Sequence, residues 1–255
     1  MKRFLLVNRH FYSKKLLPAR VYASGFFTFP LNLLVLKKSL LIITVLLSIN
    51  IYGQENNDKQ QSDYKKAIKE RSAKIVNTLG IPDSGKYNVV LNELMNQYFS
   101  LNKIHEQSKT AIAEIKQKSK SKEETEEALK EQEEKKSSLL LQQHATFIAH
   151  LKESLTEDQL DKVKDGMTYR VFPITYAGYQ DMLTNLTAEQ KNKIYTWLKE
   201  ARELAMDEGS SEKKHQVFGK YKGKINNYLS KAGYDLKKES KAWQERIKAR
   251  EAVKN

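Results

Sequence analysis

The chain has 255 residues, with 45 Lys and Arg against 31 Asp and Glu, and no cysteine at all. That length leaves room for one ordinary core beyond a leader, and the absence of cysteine excludes disulfides, thiol lipidation, thiolate catalysis and Cys-based zinc sites. The formal charge of +14 overstates the case for nucleic acid: eight of the basic residues and no acidic ones precede Gly53, so the remainder carries 37 minus 31, or +6. Its charges interleave with no arginine stripe, and no nucleic-acid partner is expected.

Lys37 and Lys38, the apolar run Leu40 to Ile49 and then Tyr52 and Gly53 read as the n-region, h-region and cleavage point of a signal peptide. The run is shorter than the roughly 20 residues a membrane span needs. The expectation is a leader and signal peptide over 1–53, a periplasmic or secreted product, and no stable membrane insertion after cleavage. Residues 54–62 are polar and predict a disordered tether, with a single helical domain over 63–253.

Within that domain Tyr64, Ala67, Ile68, Ile75 and Leu79 keep a helical period until Gly80 and Pro82. Val90, Leu94, Tyr98, Leu101, Ile104, Ala111 and Ile115 predict a second helix from about Asp83 to about Lys118. The stretch 116–136 is almost free of apolar residues, and Ser121 with Glu124 has the form of a capping box, so a charged tip joins two long antiparallel helices. Leu139, Leu140, Phe147, Ile148 and Leu151 return the chain to the core. Leu155-Thr-Glu-Asp-Gln159 and Leu186-Thr-Ala-Glu-Gln190 each mark a helix start, since Thr caps and Gln reaches back to it.

Between them, Tyr169 to Tyr179 is rich in aromatic and β-branched residues around Pro173, which predicts an irregular aromatic connection with room for a short strand. Helices follow from Thr187 to about Met206, from Lys213 to Ala232, and from Asp235 onward, with Gly233 ending the second of these. The fold class is therefore all-α: a helical bundle with a long charged helical hairpin and one irregular connection.

The sequence has no H-E-x-x-H, G-x-S-x-G or phosphate-loop pattern. His105, His144, His150 and His215 lack ligand spacing, so neither a metal nor another cofactor is expected. Asp161 with Asp165, and Asp181 with Asp207, are the pairs from which acid–base chemistry would have to come, but spacing alone does not make them a site. A stronger pattern is the gathering of aromatic, amide and ammonium groups at two places. Tyr169, Arg170, Tyr176 and Tyr179 occupy the first; His215, Lys220, Tyr221, Lys222, Asn226, Asn227 and Tyr228 surround Gly219 and Gly223 in the second. Helix-interior glycines cost about 1 kcal/mol each, which implies close approach of a backbone or a ligand. Such groups suit a hydroxyl-rich ligand, so Tyr169, Arg170, Tyr176, Tyr179, His215, Lys220, Lys222, Asn226 and Tyr228 are the expected binding residues.

The runs Asp161-Lys-Val-Lys-Asp-Gly-Met-Thr-Tyr169, Pro173-Ile-Thr-Tyr-Ala-Gly-Tyr-Gln-Asp-Met-Leu183, Glu200-Ala-Arg-Glu-Leu-Ala-Met-Asp-Glu-Gly-Ser-Ser211 and Phe218-Gly-Lys-Tyr-Lys-Gly-Lys-Ile-Asn-Asn-Tyr-Leu-Ser-Lys-Ala-Gly-Tyr-Asp235 resemble the exported bacterial family called domain of unknown function 3826. The resemblance extends from about Tyr64 to Trp243. It implies sugar binding and a place beside polysaccharide-degradation genes, and supplies no active-site residues. The two Leu-Thr-x-x-Gln segments also resemble small periplasmic helical chaperones of the Spy type. The leading expectation is thus a non-catalytic, exported accessory of polysaccharide use that binds carbohydrate. The alternatives are a chaperone-like scaffold acting through the charged hairpin, or a glycan-active hydrolase or lyase.

Overall fold

The chain is built of helices whose buried stripes are laid down by the periodicities above. A computed structural model describes residues 59–252. The expected leader and signal peptide (1–53) and the tether up to residue 58 lie outside the described residues. Among the described residues there are eight α-helices and no strand.

Helix α1 is described over 59–76, so the polar residues 59–62 are helical rather than part of a tether. Its buried side includes Ile68, Ile75 and Val76, and a 3-10 turn (Asn77–Leu79) leads to Gly80. Gly80 ends it in the left-handed region at φ 63, where a residue without Cβ carries no steric cost. Helix α2 (Ser84–Lys118) is capped by Asp83, whose Oδ1 accepts from the Lys86 amide at 2.6 Å. Helix α3 (Lys122–Ser154) starts at Ser121, whose Oγ accepts from the Glu124 amide at 3.1 Å.

The two run antiparallel. Gln143 Nε2 donates to Gln97 Oε1 at 2.7 Å, and His150 Nδ1 lies 3.2 Å from Glu93 Oε2. No residue from 109 to 146 is buried: 116–136 has almost nothing apolar to bury, and of the flanking residues expected on the core face Ile115 and Leu140 are only half-buried and Leu139 is exposed. Exposed ion pairs such as Lys118–Glu114 (2.9 Å) line it, and pairs of that kind contribute little stability.

Helices α4 (Glu157–Met167) and α6 (Ala188–Met206) begin with complete capping boxes at Thr156/Gln159 and Thr187/Gln190. Replacing either threonine by alanine should lower unfolding free energy by about 1 kcal/mol in urea titrations. No change would mean that the reciprocal Gln contacts suffice alone.

The expected irregular connection Tyr169–Tyr179 is corrected by helix α5, which spans Val171–Met182. Pro173 is its third residue, a position whose N–H would have no intrahelical acceptor, so the missing donor costs nothing there. The irregularity is confined to Thr168–Arg170, a tight reversal between α4 and α5.

Helix α7 (Ser211–Lys231) is capped by Ser210, and α8 (Leu236–Ala252) follows Gly233 at φ 95. No residue of α8 is buried. Leu236 packs on the apolar cluster of α5, α6 and α7, and polar contacts hold the rest: Trp243 Nε1 donates to Asp181 Oδ2 at 2.7 Å, and Arg250 reaches both Asp181 oxygens at 3.0 and 2.7 Å. Hydrogen bonds from Arg250 and Trp243 hold the Asp181 carboxyl down to about 2.

Two apolar clusters result. The first joins α1, the base of the α2–α3 hairpin and α4 around Val90, Leu94, Leu151 and Val163. The second joins α5, α6 and α7 around Leu183, Leu198, Phe218 and Ile225. Helix α6 serves both, because Met206 at its end packs into the first.

Candidate functional site

Where α1, α4, α5 and α6 meet, they leave a cleft of about 700 Å³. Its deepest polar residue is Arg202, which is only 1% exposed. Arg202 falls in the buried stripe of α6 between Leu198 and Ala205, a place where a charged residue is stable only when paired. The partners come from α4: Nη2 donates to Asp161 Oδ1 at 2.6 Å and Nη1 to Asp165 Oδ1 at 2.7 Å. Asp161 and Asp165 are four apart on one helix face, so a single guanidinium reaches both. The guanidinium also lies over the Phe172 ring, 5.1 Å from its centroid.

Burial pushes the Asp165 carboxyl above its ordinary range, and the hydrogen bond from Arg202 works against that rise. Burial disfavours the Arg202 charge, yet its bonds to Asp165 and Asp161 raise its proton affinity further. The Arg202 Nε is buried without a partner among the described residues. A donor so placed costs free energy until an acceptor meets it.

Phe172 and Pro173 give the cleft an apolar wall, while Lys74, Thr78 and Arg170 add polar groups. A Cβ on Gly166 would stand 2.9 Å from Ile75 Cγ1, so this glycine allows α1 and α4 to approach at the cleft. Arg170 is held in an uncommon conformation. After α4, the Arg170 amide donates to Asp165 O at 2.7 Å and the Tyr169 amide to Gly166 O at 3.4 Å, the bonding of a Schellman end. Glycine ordinarily occupies such a turn, but Tyr169 and Arg170 both have φ 57. Each carries a backbone cost of order 1 kcal/mol, and costs of that kind collect at functional sites.

The nine residues expected to bind a ligand fall into four places. Arg170 alone lies on the cleft. Tyr169 turns to the other side of the reversal and stacks on His215, with centroids 5.6 Å apart and planes at 16°. Tyr176 meets Phe172 and Tyr195 at ring-centroid distances of 6.4 and 5.3 Å, and Tyr179 donates from its hydroxyl to Asn226 Oδ1 at 2.7 Å. Tyr179 and Asn226 thus join α5 to α7 as packing partners. Lys222 offers its carbonyl to the same hydroxyl at 3.4 Å, and its side chain is at the surface. Lys220 and Tyr228 border a separate, open depression between α6 and α7. The two segments do touch, but along a packed seam rather than a shared cleft.

The other acidic pair is taken up structurally: Asp181 by α8, and Asp207 by His144, whose Nδ1 lies 2.9 Å from Asp207 Oδ2. Arg202, Lys74 and Trp197 were not among the expected binding residues. The available signal for Arg202 was an arginine in register with Ile194, Leu198 and Ala205 on an otherwise apolar helix face.

A family model described as protein of unknown function (DUF3826) matches residues 65–249, which is most of the chain and all of the cleft. The chain belongs to the DUF3826 family. No curated protein matches it. The DUF3826 match takes in both the Arg202 cleft and the α6–α7 depression. No described helix of this family member is long and apolar enough to cross a membrane.

Proposed function

We propose that this DUF3826 protein is an exported, non-catalytic accessory of polysaccharide use that binds a neutral carbohydrate in the Arg202 cleft. The observation that carries the reading is the cleft itself, about 700 Å³ with an apolar wall beside a wall of mixed donors and acceptors. Ligand cavities span roughly 300–1,000 Å³, so one or two sugar rings would fit. Lys74, Lys162, Arg170 and Arg202 face Asp158, Asp161 and Asp165, four cations against three anions, which leaves little net field for a charged ligand. A hydroxyl both donates and accepts, so it matches carboxylate lone pairs and unpaired N–H groups together. Asp161 and Asp165 are both bound to Arg202, which favours holding a ligand over transferring protons to it.

Native gels cast with neutral polysaccharides test this, comparing the wild type with Arg170→Ala and Lys74→Ala, two exposed cleft residues. Retardation by at least one neutral glycan, weakened about tenfold by either substitution, is expected. Unchanged retardation in both variants, or none on a broad panel, would overturn the assignment.

Arg170→Gly separates strain from function. Relief of the left-handed conformation should raise unfolding free energy by about 1 kcal/mol while glycan affinity falls. A variant that binds as tightly as the wild type would mean the strain serves something other than this ligand.

A further inference from the structure

The open depression between α6 and α7 differs from the cleft in chemistry. Trp197 forms its floor and meets Tyr228 edge-on, with centroids 5.4 Å apart and planes at 88°. Two ammonium groups lie over the Trp197 ring, Lys193 Nζ at 5.3 Å and Lys224 Nζ at 4.7 Å from its centroid. Lys220 and Lys231 stand at the border. None of these four lysines forms an ion pair among the described residues, in contrast to Lys162 and Lys164 near the cleft. Asn227 adds an amide to the rim.

Gly223 lies on the same surface in the interior of α7, and a Cβ built on it would meet nothing within 4 Å. Of the two expectations for this glycine, close approach of a backbone or of a ligand, the first is corrected, since there is open space above it. Packing does not require the glycine, and the helix carries its propensity cost at a place where any side chain would project into the depression. The space is about 710 Å³, room for one or two sugar rings lying across the indole.

We propose that this depression is a second glycan site, selective for acidic polysaccharide, in which the indole face takes the C–H face of a sugar ring and the unpaired lysines take its carboxylate or sulfate groups. An aromatic face with two ammonium groups within 5.3 Å of its centroid, and two more lysines on the same surface, discriminates against neutral chains, because the positive potential gathered there is met by an anion and not by a hydroxyl. The inference rests on the reading of the protein as a glycan binder, but it uses residues that the cleft does not.

The test is affinity electrophoresis and calorimetry of the purified protein with polygalacturonate (carboxylate), dextran sulfate (sulfate) and dextran (neutral). The expected result is binding of one or both acidic polymers, weakened tenfold or more by Lys220→Gln/Lys224→Gln and by Trp197→Ala, and by raising NaCl from 50 to 500 mM. The carboxylate and sulfate arms identify the anion. Gly223→Leu guards against a variant that fails to fold: it should raise the melting temperature through helix propensity and still lower acidic-glycan affinity about tenfold. Lys130→Gln/Lys135→Gln on the hairpin removes the same charge elsewhere and should leave binding unchanged. Equal loss from that hairpin pair, retention of affinity in Gly223→Leu, or equally tight binding of single-stranded DNA would overturn the proposal. Loss of neutral binding in Arg170→Ala with acidic binding intact would support both sites, and absence of neutral binding alone would overturn the cleft and not the depression.

Discussion

Arg202→Met is expected to lower unfolding free energy by about 3 kcal/mol, measured as the shift in urea midpoint at constant slope. Methionine preserves most of the packing against Phe172, so the loss falls on the charge network. Removing the guanidinium leaves Asp165, whose side chain is 21% exposed, without its partner, and leaves Asp161 at 51% exposed in a milder position. Breaking a buried pair by deleting one partner costs about 3–5 kcal/mol, and the half-exposed Asp161 places this case at the low end. Adding Asp165→Asn and Asp161→Asn to Arg202→Met should restore more than half of the loss, because the uncompensated charges are then gone. A single-variant loss below about 1 kcal/mol would mean that the network is hydrated and that the cleft is wetter than its burial implies.

The helices were legible because each is amphipathic and punctuated by a cap or a glycine, as at Thr156, Thr187, Gly80 and Gly233. The hairpin was legible for the opposite reason, since 116–136 has nothing to bury. Helix α5 was not, because aromatic and β-branched residues together with Pro173 score as extended structure locally, whereas in the fold Pro173 falls in the first turn and Phe172 and Tyr179 are held by α6 and α7. The site was legible in fragments. Asp161 and Asp165 share a face in any helical reading, but their convergence on Arg202 is a contact across about 40 positions that no periodicity reports. Tyr179 and Asn226 hydrogen-bond to each other across a helix pair, a pairing that a phenol and an amide in separate segments do not report in advance.

Between pH 6.5 and 9.5 the stability of the wild type should pass through a shallow minimum near pH 8–9, and two substitutions should divide the curve into its parts. Hydrogen bonds to Asp207 and Glu203 raise the His144 imidazole to about 9, against an ordinary 6.5. The folded state therefore holds a proton that the unfolded chain has released. That contribution is complete below pH 6.5 and is lost as pH rises through about 9. At about 1.4 kcal/mol per pH unit the face value exceeds 3 kcal/mol, and partial solvation of the ring reduces it to about 2 kcal/mol.

Lys214 acts with the opposite sign. It is 5% exposed, its Nζ donates to Met206 O at 3.0 Å, and burial lowers it to about 8. Charged Lys214 is a cost that disappears as pH rises above 8, so stability should climb by about 2 kcal/mol from pH 8 to 9.5. Tyr179 and Tyr221 are raised to about 12, so tyrosine linkage, which begins only as the unfolded chain ionises near pH 10, stays outside this window. In urea titrations across pH, Lys214→Met should show only the fall and His144→Gln only the rise. Parallel curves in all three proteins would sink the assignment. The expected opposition follows from position: both groups meet the end of α6, His144 at Asp207 and Lys214 at Met206, so α3 and α7 are fastened to the same turn by titrations that run in opposite directions.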